Sequence, residues 1–210
     1  MSPEAVTTER IYAMLKADVR GGRFDPGREL VIAAIAREYG VSIAPVRDSA
    51  QRLVGERLLR LVHGGGFAMP EVTERVLHDL LFWHGQLVRN AVKMGRIALR
   101  EPPGADEDLA LESPEALANL AGSLFHKLAL RAGNDDLAQA VAAAGDRLHA
   151  IRMKEPDHLP GIENELCEIH FLSMANGSTR ELIQALWAYH RRRLRRVRQL
   201  VGAISGSAEA

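Results

Sequence analysis

A chain of 210 residues with 47% hydrophobic and 26% charged residues has room for one large or two modest globular domains. Its formal net charge is zero, which excludes a uniformly basic protein, so any contact with DNA must rest on a local patch. Cys167 is the only cysteine, which excludes an intrachain disulfide and favours a reducing compartment. With no signal-peptide pattern and no long apolar stretch, we expect a cytoplasmic protein that does not contact a membrane.

Residues 1–71 show three short helical patterns in chain order. The first ends at Gly21-Gly22, the second ends at Gly40, and the third follows Ser42 as its N-cap. Only about three residues therefore separate the second and third helices, which is the spacing of a helix-turn-helix. The apolar stripes that define the three helices are Ile11, Met14, Leu15 and Val19, then Ile32, Ile35, Ala36 and Tyr39, then Val46, Ala50 and Leu53.

A glycine-rich hairpin follows the third helix. Residues 58–62 and 67–69 are short apolar segments on either side of His63 and three glycines. This pattern predicts a two-stranded wing, and Thr73 then caps a new helix in a second domain.

The face of the third helix that lies opposite its apolar stripe is polar, which predicts a DNA-reading surface. Arg47 has the geometry to bind guanine bidentately, Gln51 suits adenine or a phosphate, and the free amides behind Ser42 suit a phosphate. The pattern leaves open a small protein-interaction module with a solvated polar face. The residues predicted to contact DNA are Ser42, Ala44, Pro45, Arg47, Gln51, Arg52, His63 and Gly65.

Residues 72–204 have helical periodicity almost throughout, with loops at 101–113 and 154–162, and residues 205–210 are expected to be a flexible tail. His170 shares a stripe with Leu166 and Met174, and His190 continues the stripe of Leu186, so both histidines are predicted to point inward. The arginine-rich run at 191–198 is interpreted as the solvated face of the last helix, with a nucleic-acid patch as the alternative.

Two segments, 22–27 and 39–48, together with Leu53, Leu58 and the wing at 63–66, carry the pattern of a known family. On these residues the chain resembles the GntR family of bacterial regulators, in the branch whose second domain is the helical FCD domain of FadR-like proteins. The resemblance implies a mainly α fold: a winged helix-turn-helix of three helices and a two-stranded wing, followed by an all-α antiparallel bundle. Ile43-Ala44 stands where the family has Arg-Thr, so we expect an atypical operator. Arg57 stands where the family commonly has a glycine.

The resemblance also implies a function. It implies a sequence-specific regulator of transcription, a repressor and not an enzyme, that binds a double-stranded DNA operator as a homodimer. A small-molecule effector in the helical domain, such as an organic acid, would control operator affinity.

FCD domains often hold a metal on one Asp and three His, and the matching positions here are His126, His170 and His190. Gly122 stands at the Asp position, and His84 stands where an arginine often grips a carboxylate effector. These five residues are the predicted effector pocket, with the three metal-position histidines as candidate ligands for Zn or Ni.

The histidines have three possible interpretations: a bound divalent metal, a metal-free polar pocket for an organic effector, and core histidines without a ligand. A bound metal admits two further functions. One is a metal-responsive regulator with the ion as effector, and the other is a metal-dependent hydrolase.

Overall fold

The computed structural model describes residues 3–95, 113–174 and 178–205 of the chain, with side chains between residues 8 and 204. It contains two compact units, one of Met1–Val72 that also includes Ile204 and Ser205, and one of Thr73–Ala203. The boundary after Val72 lies one residue beyond the predicted end of the first domain at 71. Among the described helices, none has the length and apolar character needed to cross a membrane. The predicted loop at 101–113 lies, except for Ser113, outside the described residues, and so does the predicted tail beyond Ser205.

The first unit combines three helices with a small sheet. Strands β2 (Arg60–Val62) and β3 (Gly66–Ala68) form the predicted wing and pair with each other antiparallel, with Arg60 opposite Ala68 and Val62 opposite Gly66. A further strand, β1 (Glu29–Leu30), pairs with β3 and makes the sheet three-stranded in the order β1-β3-β2. The sequence did not reveal β1 because two residues are too few to show alternation. The elements are α1 (Pro3–Arg20), β1 (Glu29–Leu30), α2 (Ile32–Tyr39), α3 (Ile43–Gly55), β2 (Arg60–Val62) and β3 (Gly66–Ala68).

The core of the first unit is formed by the predicted stripes together with the base of the wing. Met14 is the exception, because it is 38% exposed on the outer side of α1. Burial of the remaining apolar side chains, at roughly 25 cal/mol per Å² of apolar surface, is what holds three short helices together. The buried members are Ile11, Tyr12, Leu15, Val19, Leu30, Ile35, Ala36, Val46, Ala50, Leu53, Leu58, Leu59 and Phe67.

Two left-handed residues set the ends of the helix-turn-helix. Gly40 has φ 68° and ends α2, which lets the next amide, that of Val41, donate to the Ala36 carbonyl at 3.0 Å. Arg57, at the position where the resembling family has glycine, has φ 60° just after α3. A non-glycine residue in this conformation costs roughly 1 kcal/mol, and the amides of Leu58 and Leu59 both donate to the Leu53 carbonyl across the turn.

The second unit is helical in all its described parts. Its helices are α4 (Glu74–Met94), α5 (Pro114–Leu130), α6 (Asp135–Lys154), α7 (Ile162–Met174), α8 (Thr179–Leu194) and α9 (Val197–Ser205). Thr73, Ser113 and Asn134 cap α4, α5 and α6, each accepting a hydrogen bond from the amide three residues later. The apolar stripe through Val201 predicted one last helix, but the structure has two helices there, α8 and α9.

The arginine run at the end of α8 is not wholly solvated, because Arg193 is fully buried. Its guanidinium donates to Glu155, with the closest contact at 2.8 Å, and to Glu165 at 3.0 Å. The predicted solvated face is wrong at Arg193, because its two carboxylate partners lie in other segments of the chain and a local pattern does not include them. A buried charge is tolerated when partners of this kind compensate it.

Candidate functional site

The exposed face of α3 carries most of the predicted DNA-contacting residues. Ala44, Arg47 and Gln51 are exposed, whereas Pro45 is half-buried. Ser42 is the N-cap, yet its hydroxyl makes no capping bond. The first-turn amides and this hydroxyl are therefore available to an anion at the start of α3.

Arg47 joins α3 to the wing. Its Nη2 donates to the Gly65 carbonyl at 2.8 Å, and its guanidinium carbon lies 5.9 Å from the centre of the Phe67 ring. The wing tip can present that carbonyl because Gly64 and Gly65 have φ of 89° and 84°, which L side chains rarely adopt. His63 is exposed beside them. Arg47 and the wing tip thus form one continuous surface.

Arg52 does not belong to that surface. Its Nη1 donates to Glu9 at 2.8 Å, and its guanidinium carbon lies 3.5 Å from the centre of the Tyr12 ring. Five helical residues separate it from Arg47, which places the two about 140° apart around α3. Both arginines lie off the apolar stripe of α3, and the sequence therefore predicted one surface, but they flank the exposed face on opposite sides.

Two histidines meet inside the helical unit. His84 on α4 and His190 on α8 are both buried, and His84 Nδ1 lies 2.9 Å from His190 Nε2. His190 Nδ1 lies 2.7 Å from the Leu186 carbonyl, which can only accept, so Nδ1 carries the proton. These partners assign the tautomers: His84 donates through Nδ1 to His190, and its own Nε2 is left as an acceptor.

Arg152 on α6 completes this chain of donors. Its Nη2 makes a long contact of 3.5 Å with His84 Nε2, and its guanidinium carbon lies 5.3 Å from the centre of the Phe125 ring. The order is therefore Arg152 to His84 to His190 to the Leu186 carbonyl. Burial lowers the pKa of His84 well below its usual range and that of His190 to about 3, so both imidazoles are neutral near pH 7.

Gly85 makes room for the His190 ring. A Cβ built on Gly85 would lie 2.9 Å from His190 Cγ, which is closer than real contacts allow. The pair therefore depends on a glycine one residue after His84 as well as on the two imidazoles.

The other predicted pocket residues do not join this pair. His170 is exposed on α7, so its predicted inward orientation is wrong; the buried face of α7 is formed by Ile162, Leu166 and Ile169. His126 is half-buried, and its Nδ1 is enclosed without a hydrogen-bond partner among the described residues. Gly122, one turn earlier on α5, has open space where a Cβ would be.

These residues do not fit the metal that the resemblance implied. Within the described ranges, no three His, Cys, Asp or Glu side chains are grouped so that they could hold an ion. The imidazole nitrogens of the buried pair face a donor or donate a proton themselves, so neither ring offers a free lone pair. The cation of Arg152 beside them would repel a second positive charge.

A surface cleft of about 440 Å³ also lies in the helical unit, and it contains none of the predicted pocket residues. Four arginines share its lining with His158, Leu159, Pro160, Glu165 and Ala188; they are Arg191, Arg192, Arg195 and Arg196. Its carboxylate, Glu165, is already paired with Arg192 and Arg193.

Two buried polar residues of α6 were not predicted from the sequence: Arg152, which contacts His84, and His149. A signal was present, because Arg152 continues the helical stripe of Val141, Gly145 and Leu148, all of which are buried. An arginine on an apolar stripe is more often exposed at its tip, so its burial required the structure.

Comparison with known proteins identifies the first unit. Residues 7–69 match the family model described as bacterial regulatory proteins, gntR family. The N-terminal unit is a GntR-family helix-turn-helix domain.

Two relatives in Escherichia coli share sequence with the chain. The HTH-type transcriptional repressor GlaR is 30% identical over 69 residues, which are 33% of this chain and 31% of that protein. The HTH-type transcriptional regulator McbR is 31% identical over 106 residues, which are 50% of this chain and 45% of that protein. The matches therefore span less than half the length of these relatives.

Solved structures resemble nearly the whole chain. The structure of E. coli McbR/YncC has a TM-score of 0.65 at 18% identity and covers 91% of this chain and 97% of that one. A GntR protein from Rhodococcus sp. RHA1 has a TM-score of 0.66 at 19% identity and covers 94% and 99%. At these identities the likeness establishes the fold: a winged helix-turn-helix followed by a helical domain.

The GntR-family domain departs from its family at the tip of α3. Ile43 is the first residue of α3 and is 50% exposed, and Ala44 beside it is also exposed. The Ile43 side chain is not among the described residues that form the core of this domain or pack against it. It offers methyl groups where the family's arginine would offer hydrogen-bond donors.

The buried histidine pair predicts that acid destabilises the helical unit. Unfolded histidine takes up a proton near pH 6.5, whereas the buried His84 and His190 stay neutral well below that pH. Their contribution is therefore complete above about pH 6.5 and is lost as pH falls toward the folded values. The unfolding free energy should fall by about 1.4 kcal/mol per pH unit for each histidine.

Urea unfolding followed by tryptophan fluorescence checks this, because both tryptophans, Trp83 and Trp187, lie in the helical unit. His190→Leu should reduce the slope of stability against pH between about pH 7 and about pH 5. His170→Gln, which changes an exposed histidine of the same unit, should leave the slope unchanged. Equal slopes for wild type and His190→Leu would contradict the assignment of a neutral buried pair.

Proposed function

We propose that the chain is a sequence-specific transcription regulator that acts as a repressor and binds its operator through α3 and the wing. The single observation that carries this is the continuous exposed surface of Arg47 and the glycine wing in a GntR-family domain. The name of GlaR, a transcriptional repressor, supports the direction of regulation. A small-molecule effector bound in the helical unit controls operator affinity by changing how two DNA-binding domains are presented to DNA.

Arg47 has two tasks in this proposal. In the free protein its guanidinium holds the Gly65 carbonyl, which places the wing against α3. On DNA, the same fork is long enough to reach the O6 and N7 atoms of a guanine in the major groove. Operator binding would therefore exchange a bond to the wing for bonds to a base, while Ser42 and the first-turn amides bind a phosphate.

Arg47→Ala should weaken operator binding about tenfold or more, because one bidentate base contact and the anchor of the wing are both lost. The operator is first selected with the wild-type chain from a pool of random duplexes, and gel shifts then compare affinities on the selected duplex. Arg10→Ala is the matched control, since it removes an exposed arginine of α1 and leaves the residues of α3 and the wing unchanged. Unchanged affinity for Arg47→Ala would show that α3 is not the reading helix.

Ile43 is expected to contact a thymine methyl group, because that contact would remove apolar surface of both the exposed Ile43 side chain and the methyl group from water. Replacing the contacted thymine with uracil removes only that methyl and should lower wild-type affinity about fourfold. Ile43→Ala should bind the two duplexes equally, so the double-mutant cycle isolates the contact. Uracil at flanking positions is the control, and equal discrimination by wild type and Ile43→Ala would exclude this role.

The regulator acts as a homodimer on a near-palindromic operator in this proposal. Phe82 and Trp83 on α4 support it, being 45% and 53% exposed; large exposed aromatic side chains are typical of interfaces.

Sedimentation should give twice the chain mass of 23.1 kDa. Trp83→Glu should shift the protein toward monomer, and Lys93→Glu on the same helix should not; a wild-type monomer at all concentrations would contradict the dimer.

A further inference from the structure

The surface cleft of about 440 Å³ in the helical unit has four arginines in its lining. Glu165 is the one carboxylate among its described lining residues, and it is already paired within the fold. Arg191 and Arg195 are exposed and have no carboxylate partner in the described part of the chain. The described side-chain contact of Arg196 is with the uncharged Gln199, at 3.0 Å. The cleft therefore concentrates positive charge that the described fold leaves uncompensated.

Helix geometry brings these arginines together. Arg191 and Arg192 are neighbours in sequence, and Arg195, the C-cap of α8, follows them by four and three residues. At these spacings side chains lie on one face of a helix, so three like charges stand side by side. Arg193 lies about 100° further round the helix than Arg192 and is fully buried, so it belongs to the core instead. Like charges at three- and four-residue spacing repel each other, and this repulsion is unfavourable until an anion binds.

The loop between α6 and α7 supplies three of the lining residues and is held in place by hydrogen bonds. The Glu155 carbonyl accepts from the amides of His158 and Leu159 at 2.9 and 2.7 Å. Its carboxylate is bonded to the buried arginine of α8 at 2.8 Å. Arg192 Nη2 donates to the Pro160 carbonyl at 2.6 Å. The cleft is therefore formed by the fold itself, and little free energy would be lost in ordering it around a ligand.

The positive charge around the cleft exceeds the negative charge by three among the described residues. Glu155 pairs with Arg193, and Glu165 pairs with both Arg192 and Arg193. These two carboxylates compensate two of the five guanidinium groups between residues 191 and 196. A phosphate monoester carries roughly two negative charges near pH 7 and a diphosphate ester about one more, so the diphosphate matches the surplus. The planar fork of a guanidinium also matches phosphate oxygens.

Part of the cleft is apolar. Leu159, Pro160 and Ala188 are among its lining residues, and their side chains form no hydrogen bonds. The cleft volume of about 440 Å³ is within the range of roughly 300–1,000 Å³ that is typical of small-molecule sites. A bare inorganic anion would leave the apolar part in contact with water, and a DNA backbone would present only phosphate and sugar to it. An organic group attached to the phosphates fills the cleft better than either.

We propose that this cleft binds a diphosphate ester of a small organic group, with its phosphates on the exposed arginines and its organic part against Leu159 and Pro160. The site is separate from the predicted effector pocket, because none of the five predicted pocket residues lines the cleft. The ester is therefore a second ligand of the helical unit, and its binding does not rest on the proposed operator binding.

Isothermal titration of the intact chain measures the binding directly. ADP, UDP and isopentenyl diphosphate are the probes, since they share the diphosphate and differ in the organic group, and EDTA keeps the phosphates free of metal ions. At least one of them should bind about tenfold or more tightly than inorganic phosphate, because it makes additional charge-assisted hydrogen bonds. Adenosine, uridine and isopentenol, which lack the phosphates, should not bind. Affinities of all three diphosphates no greater than that of inorganic phosphate would overturn the inference.

Methyl diphosphate tests the organic group separately from the charge. It carries the same diphosphate as the three probes but has almost no organic part to place against Leu159 and Pro160. It should therefore bind more weakly than the most effective probe, by the contribution of the apolar surface that this probe removes from water. Equal affinities for methyl diphosphate and all three probes would show that the cleft does not hold an organic group, and would overturn the inference.

Variants of the exposed arginines locate the site. Arg191→Gln and Arg195→Gln should each weaken binding of the most effective probe about tenfold or more, the loss expected for a charged hydrogen bond. Arg195→Lys keeps the charge but loses the fork, so its affinity should fall between those of wild type and Arg195→Gln. Without ligand, these variants should melt no lower than the wild type, because they reduce the repulsion between like charges.

Arg198→Gln is the matched control. It removes an exposed arginine of the same run and changes the net charge equally, but Arg198 does not line the cleft. It should bind the most effective probe as the wild type does. A loss for Arg198→Gln as large as that for Arg195→Gln would indicate a diffuse basic surface instead of a site, and would overturn the inference.

A duplex of random sequence distinguishes the ester from nucleic acid as the occupant. In gel shifts, Arg191→Gln and Arg195→Gln should bind this duplex as the wild type does. A loss of duplex affinity as large as the loss of ester affinity would assign the cleft to the DNA backbone, and would overturn the inference. Arg47→Ala should bind the ester as the wild type does. A failure of ester binding therefore leaves the proposed operator binding intact, and an unchanged operator affinity of Arg47→Ala leaves the ester site intact.

Discussion

The helical unit is organised by the cost of removing polar groups from water. A buried donor or charge without a partner is costly, and contacts between His84, His190 and Arg152 connect α4 to α8 and to α6. His190 donates to its own helix at Leu186 and accepts from His84, which fixes the rotation of α8 against α4. Gly85 allows this approach because it has no side chain in the way.

The same cost distinguishes the two buried arginines, because Arg193 has carboxylate partners and Arg152 has none among the described residues. Arg193 is compensated by Glu155 and Glu165, so its burial links the end of α8 to α7 and to the segment after α6. Arg152 has a polar contact with His84 but no carboxylate partner in the described part of the fold.

The DNA-binding domain is under a different constraint, that of connecting three short helices and a hairpin with very few residues. Left-handed backbone at Gly40, Arg57 and the wing tip makes the tight turns, and the Arg47 bond to the Gly65 carbonyl orients the wing. Arg57 shows that this geometry is retained even without glycine. The wing and α3 are therefore held as one surface before any DNA arrives.

Local pattern was sufficient for whatever depends on a single element. The apolar stripes of α1, α2 and α3, the cap at Thr73 and the burial of His190 were all readable from spacing, because one face of a helix reports its own burial. Spacing failed where two elements decide together. Arg52 points to Glu9 instead of joining Arg47, and β1 exists only because β3 is beside it.

The sequence by itself therefore determined the winged helix-turn-helix, the helical character of the second unit and the candidates for both sites. Only the tertiary structure decided that His84 pairs with His190, that His170 faces solvent and that Arg152 is buried with no counter-charge in the described part of the chain. The physical reason is that periodicity records how one helix divides apolar from polar surface. The partner of a buried polar group is set by segments far away in the chain, and no local pattern contains it.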